Sequence, residues 1–135
     1  MKSIQVVYEE KLRTQFENNG NLVLIDGPKQ FGGLEEHLSP TDLLAASLAS
    51  CTITMFGLQA SKLGLDIKGT SATVTEKEMT NEAPRRIAKI TIQIDCPLNP
   101  PLKLREKLED AALHCAVHLS LHPSIKQTIL FSWGE

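Results

Sequence analysis

The feature that most constrains this chain is an uncharged run of 18 residues, Leu43 to Ala60, entered through Ser39-Pro40-Thr41-Asp42. Ser39 is a good N-cap. Pro40 suits the first helical position, where a missing N–H costs nothing, and Asp42 stands where a capping box wants an acid. No strong breaker follows before Gly64, so the sequence predicts a helix of about 24 residues, roughly 36 Å long. Such a helix would span the whole width of a compact monomer, whose radius of gyration would be about 14 Å, and it is apolar nearly all round. The expectation is therefore an obligate homodimer that buries the 40–63 helix. The run is also long enough for a membrane span. Ser47, Ser50, Thr52, Thr54, Gly57 and Gln59 interrupt it, however, and favour a buried helix of a soluble protein. Small residues at 45, 46, 47, 49 and 50 allow close approach on more than one side.

The 135 residues are read as a single domain, 1–135, with 41% apolar and 22% charged residues. An aromatic content of 4% leaves little surface for stacking bases. A net charge of −2 argues against nucleic acid or a membrane surface as partner. The start, Met1 to Glu10, alternates like a strand and lacks the apolar core of a signal peptide, so a cytoplasmic location is expected. Three cysteines, Cys51, Cys96 and Cys115, do not make a disulfide framework in that compartment. They show no Cys-x-x-Cys zinc spacing, which leaves redox chemistry or burial.

The first third reads as a meander of strands near 3–10, 12–17 and 21–26, with Asn18-Asn19-Gly20 as a hairpin turn. A Gly/Pro loop, 27–33, leads to the long helix. A second hairpin follows: a strand around 67–78, a turn near Asn81 to Pro84, and a strand around 86–96 with Ala88, Ile90, Ile92, Ile94 and Cys96 inward. Asn99 and Pro100 are expected to open a second helix with an apolar line of Leu104, Leu108, Ala111, Ala112, Cys115 and Leu119. Its last turn would carry Cys115, and Arg105 would lie on its solvated side. Ile129, Phe131 and Trp133 alternate as a closing strand. The order βββ-α-ββ-α-β is an α+β fold.

Cys51 falls in mid-helix, on a face with Leu44, Leu48, Met55 and Leu58, so its thiolate has no free helix-end amides and would need a separate cation. The run from Ser39 to Cys51, the segment Cys115-Ala116-Val117-His118-Leu119-Ser120-Leu121-His122-Pro123, and the closing Phe131-Ser132-Trp133 together resemble the OsmC/Ohr family of peroxide-defence proteins. The likeness covers nearly the whole chain, and the two cysteine motifs are its specific part.

The resemblance implies an intertwined homodimer with a long buried central helix and an active site at the subunit interface. It implies a thiol peroxidase acting on organic hydroperoxides, with Cys51 attacking the peroxide and Cys115 resolving the sulfenic acid as a disulfide. An external dithiol, which in the family can be a lipoyl group, would reduce that disulfide, without a bound cofactor or metal. The family uses an arginine from the N-terminal strands to stabilise the thiolate. Arg13 is the only arginine there, while Arg85, Arg86 and Arg105 fall at a turn and on a polar helix face. Asp42 and Glu36 are the candidate supporting acids. The sequence departs from the family pattern at Thr41, where a glutamate is usual, and at Ala116, where a proline is usual.

Two other readings compete. One is a non-catalytic OsmC-like protein that binds a small apolar molecule at the dimer interface. The other is metal binding by His114, His118 and His122, spaced four apart, which Pro123 opposes by ending the helix.

Overall fold

A computed structural model describes residues 1–134. The chain forms two compact units, Met1–Leu44 and the remainder from Ala45. The elements follow the expected α+β order, except that the second helical region is broken in two.

In the first unit, β1 (Val7–Tyr8), β2 (Arg13–Asn18) and β3 (Asn21–Asp26) form an antiparallel sheet in chain order. Asn19 and Gly20 both take positive φ, 51° and 82°, which is the two-residue turn whose twist matches that of the flanking strands. That turn fixes the register, pairing Asn18 with Asn21 and therefore Arg13 with Asp26. The first strand is much shorter than the 3–10 expected, because only Val7 and Tyr8 find partners, at Gln15 and Thr14. Beyond β3 a single 3-10 turn, Lys29–Phe31, reverses the chain. A Cβ on Gly33 would sit 1.9 Å from the Gly27 carbonyl oxygen, so only glycine permits this closure. The returning segment then lies beside the end of β3, with the Asp26 amide donating to the Leu38 carbonyl at 3.0 Å.

Helix α1 is Pro40–Lys62. Its start is a reciprocal capping box: the Asp42 amide donates to Ser39 Oγ at 3.1 Å, and the Ser39 amide to Asp42 Oδ2 at 3.2 Å. Its end is a Schellman closure on Gly64 (φ 72°), with the Leu65 amide donating to the Ala60 carbonyl at 2.8 Å. Length and composition would allow α1 to cross a membrane, a test that core helices of folded domains also pass. Ala45, Leu48, Ala49, Thr52, Phe56 and Ala60 are buried. The apolar face expected around Leu44, Leu48, Met55 and Leu58 is thus rotated: Leu58 is 49% exposed, and Cys51 lies half-buried at the stripe's edge.

In the second unit β4 (Ser71–Met79), β5 (Ile87–Cys96) and β6 (Lys126–Trp133) form a sheet with β5 central, antiparallel to β4 and parallel to β6. Ile87, Ile90, Ile92, Ile94 and Cys96 are buried. Ala88 is only half-buried, since irregular pairing between Glu78 and Met79 shifts the alternation at the hairpin end. Phe56 of α1 stacks near Phe131 and Trp133 of β6, with ring centroids 6.4 and 5.6 Å away.

Helix α2 is Leu102–Ala112, capped at Pro101, and not a helix opening at Asn99-Pro100. A proline disfavours helical geometry in the residue before it, so Pro101 keeps Pro100 out of the helix. Asn99 Oδ1 and the Pro100 carbonyl instead accept from Arg105. Arg105 is half-buried and lies over the Trp133 ring at 5.7 Å, not on a solvated face. The helical region then stops. Cys115 is extended (φ −83°, ψ 146°) and opens a separate short helix, α3 (Ala116–Ser120).

Candidate functional site

The first unit holds an ion cluster at the end of the β2–β3 hairpin. Arg13 Nε and Nη2 donate to the two oxygens of Asp26 at 2.7 and 2.9 Å, and Nη2 also donates to Glu36 Oε1 at 2.9 Å. Asp26 is 1% exposed. It accepts three further bonds at Oδ2, from the backbone amides of Glu36 and His37 at 2.9 Å each and from His37 Nδ1 at 3.1 Å. The Arg13 guanidinium, joined by the His37 ring and the two amides, holds the Asp26 carboxyl well below the usual carboxylate range. The same pairing, with Asp26 first and Glu36 after it, raises Arg13 above its already high value. Of the two candidate supporting acids, Glu36 bonds to Arg13 and Asp42 caps α1.

The second unit holds the thiols. Cys115 is fully buried, and its Sγ accepts from the His118 amide at 3.2 Å. Thr52 Oγ1 lies 3.8 Å from that sulfur and donates to the Leu48 carbonyl at 2.8 Å. The Cys51 thiol lies near enough to Cys115 to act on its ionisation. Burial, above all, pushes the Cys115 thiol up; the His118 amide pulls it down, the neighbouring Cys51 thiol pushes it up again, and Thr52 pulls it down. His118 Nδ1 bonds to Gln127 Oε1, and Gln127 Nε2 donates back to the His118 carbonyl at 3.2 Å. An amide oxygen only accepts, so His118 Nδ1 is the donor in this contact, which ties α3 to β6.

Cys115 therefore stands at a helix start rather than in a last helical turn. Ala116 is the first residue of α3, a position that takes alanine or proline equally well, so the departure there leaves the chain path intact. Cys96 is 4% exposed on the core side of β5, as expected. The break before Cys115 also ends the helical spacing of His114, His118 and His122, and among the described residues no three metal-binding side chains cluster. Sequence reasoning missed Asp26, His37, Thr52 and Gln127, and singled out His118 only within the Cys115 motif and as a metal-ligand candidate. Asp26 alone carried a readable signal, because the Asn19-Gly20 turn sets it opposite Arg13.

The model of the OsmC-like protein family matches residues 33–129. A crystal structure from Psychrobacter arcticus 273-4, named only provisionally as an osmotic stress induced and detoxification response protein, is 37% identical. It aligns over 98% of this chain and 96% of its own, with a TM-score of 0.90. An organic hydroperoxide resistance protein OsmC from Legionella pneumophila is 13% identical with a TM-score of 0.74, over 98% of each chain. An organic hydroperoxide resistance protein from Elizabethkingia anophelis is 14% identical with a TM-score of 0.75, over 98% of this chain and 96% of its own. These last two share the fold. No curated protein sequence matches significantly. With the family match covering most of its length, and with a close structural relative along the whole of it, the chain belongs to the OsmC-like family.

Proposed function

We propose that the protein is a thiol peroxidase that reduces organic hydroperoxides, with Cys51 as the attacking thiol and Cys115 as the resolving thiol. The observation that carries this reading is the contrast between two neighbouring sulfurs. Cys51 is half-buried on α1, while Cys115 is fully buried and its burial favours the neutral thiol. The more accessible sulfur meets the peroxide, and the protonated one waits. In the first step the Cys51 thiolate attacks a peroxide oxygen, the O–O bond breaks, and the alcohol leaves with a proton, giving a sulfenic acid. In the second, the Cys115 sulfur displaces hydroxide from Cys51, which departs as water with the Cys115 proton. An external dithiol, such as a lipoyl group, then reduces the disulfide. The reading requires no bound cofactor or metal.

The reading assigns to Arg13 the role of the cation that the Cys51 thiolate needs. Asp26 and Glu36 hold its guanidinium through Nε and Nη2, and Nη1 takes part in none of these bonds, so donors remain for an anion. The reading also includes an intertwined homodimer sharing α1, in the cytoplasm, with neither nucleic acid nor membrane as partner. Apolar residues left exposed on one chain, among them Ile4, Val6, Tyr8, Leu22 and Leu58, support the dimer.

Stopped-flow consumption of cumene hydroperoxide and hydrogen peroxide, by wild type and Cys51→Ser, tests the activity. Faster consumption of the organic peroxide, lost in the variant, is the expected result. Consumption that survives Cys51→Ser, or none in wild type, overturns the peroxidase reading in favour of a non-catalytic protein binding a small apolar ligand at the dimer interface.

A further inference from the structure

We propose that Thr52 is a positioning residue for the resolving step, its hydroxyl turning from the Leu48 carbonyl to the Cys115 sulfur when that sulfur loses its proton. The inference rests on the dithiol reading above and adds a residue to it. Thr52 follows Cys51 directly, but a step of about 100° round the helix takes it from the edge of the buried stripe into the core, where it is fully buried. A hydroxyl carries one proton. In the resting state that proton goes to the Leu48 carbonyl at 2.8 Å, so the 3.8 Å contact with Cys115 is made with the thiol S–H as donor and the Thr52 oxygen as acceptor.

A thiolate at Cys115 reverses the requirement, because a buried anion needs donors. The His118 amide is one, fixed by the backbone at 3.2 Å. The Thr52 hydroxyl becomes the second by rotating its proton about the Cβ–Oγ1 bond, with no heavy atom moving. The Leu48 carbonyl gives up only this extra bond, since within α1 it keeps the ordinary helical bond from the Thr52 amide. The titratable group acting on Cys115 is Cys51 of α1; the groups bonded to the sulfur, the Thr52 hydroxyl and the His118 amide, are neutral. No cation is therefore among the groups that hold this thiolate, which makes the loss of one neutral donor measurable. In the step itself the Cys115 thiolate attacks Cys51 sulfenic acid, an S–S bond forms, the S–O bond breaks, and hydroxide leaves to take up the proton that Cys115 shed.

The test compares wild type, Thr52→Val and Thr52→Ser as full-length proteins. Each is mixed with one equivalent of cumene hydroperoxide, quenched by alkylation over time, and read by intact mass between about pH 6 and 9, a range spanning the usual thiol pKa. Thr52→Val keeps the shape and removes the hydroxyl. It should consume peroxide at the wild-type rate, form disulfide about tenfold more slowly, move the pH profile of that step upward and accumulate over-oxidised Cys51. Thr52→Ser should restore the rate and profile. Disulfide formation in Thr52→Val at the wild-type rate and pH dependence overturns the proposal, and so does a Thr52→Ser protein as slow as Thr52→Val, which would assign the effect to the lost methyl. A wild type that consumes peroxide without forming any disulfide refutes the dithiol reading itself, a result distinct from either.

Discussion

Replacing Phe56 by alanine should cost more stability than an average core truncation. Phe56 is fully buried on α1, and its ring meets Phe131 at 6.4 Å and Trp133 at 5.6 Å, so one side chain joins α1 to the edge strand β6. Phe→Ala in a core typically costs about 3–5 kcal/mol through lost transfer energy and the cavity left behind. Aromatic pairs add about 0.5–1.5 kcal/mol beyond burial, and two are lost here, so the upper half of that range, about 4–5 kcal/mol, is expected. Against a typical domain stability of about 5–15 kcal/mol, this removes a large share. Phe56→Leu, which refills most of the volume, should cost about 1–2 kcal/mol. Urea unfolding followed by tryptophan emission suits the measurement, because Trp133 is the only tryptophan and touches the mutated ring. Chain concentration must be held fixed, since a dimer's stability depends on it. A Phe56→Ala protein within about 1 kcal/mol of wild type, at unchanged urea slope, would refute the claim that this contact fixes α1 on the sheet. Where the variant still folds in the cold, it should give less Cys51–Cys115 disulfide, because the helix carrying Cys51 is no longer held.

Three further expectations follow from the charge clusters and the cap. The Asp26 carboxyl is held below its ordinary value near 3.8, so its contribution to stability is fully present above that value and is lost as pH falls toward its folded-state value. The stability gap between wild type and Asp26→Asn should accordingly shrink below about pH 4, and a gap constant from pH 7 to pH 2 by urea titration would refute it. Ser39→Ala removes half of the capping box and should cost about 0.5–2 kcal/mol by thermal or urea unfolding, with Ser39→Asp close to wild type. Arg13→Ala should slow both peroxide consumption and Cys51 alkylation at neutral pH. Arg13→Lys should rescue it poorly, because an ammonium cannot make the two-point contact with Asp26. Identical alkylation rates in wild type and Arg13→Ala would show that Arg13 is not the activating group.

The parts of the fold legible in the sequence are those set by local chemistry. Ser39, Pro40 and Asp42 announced α1, and Gly64 its end, because caps act within one turn. Asn19-Gly20 announced the hairpin. The break before Cys115 was hidden, because Leu108, Ala111, Ala112, Cys115 and Leu119 keep helical spacing straight across it. Periodicity reports which residues face the core and not whether the backbone between them stays helical. The start of α2 was misplaced because the effect of Pro101 on Pro100 outweighed the capping signal of Asn99. At the site, Cys51, Cys115, Arg13 and Glu36 were named from the sequence. Thr52 was not, since it meets the Cys115 sulfur across 63 residues of chain, and the His118 amide was hidden because the helix start that makes Cys115 its cap was itself unread. Asp26 shows the intermediate case: a buried carboxylate looks unremarkable in sequence, yet its place opposite Arg13 follows from counting residues back from the turn.

The central claim is that Cys51 and Cys115 act as one redox pair. Intact mass after one equivalent of cumene hydroperoxide per reduced chain tests it most directly. The account predicts a loss of two hydrogens per chain, retained in Cys96→Ser and absent from both Cys51→Ser and Cys115→Ser, with Cys115→Ser gaining oxygen instead. A wild-type chain that gains oxygen without losing hydrogen, or that stays unchanged, would contradict it.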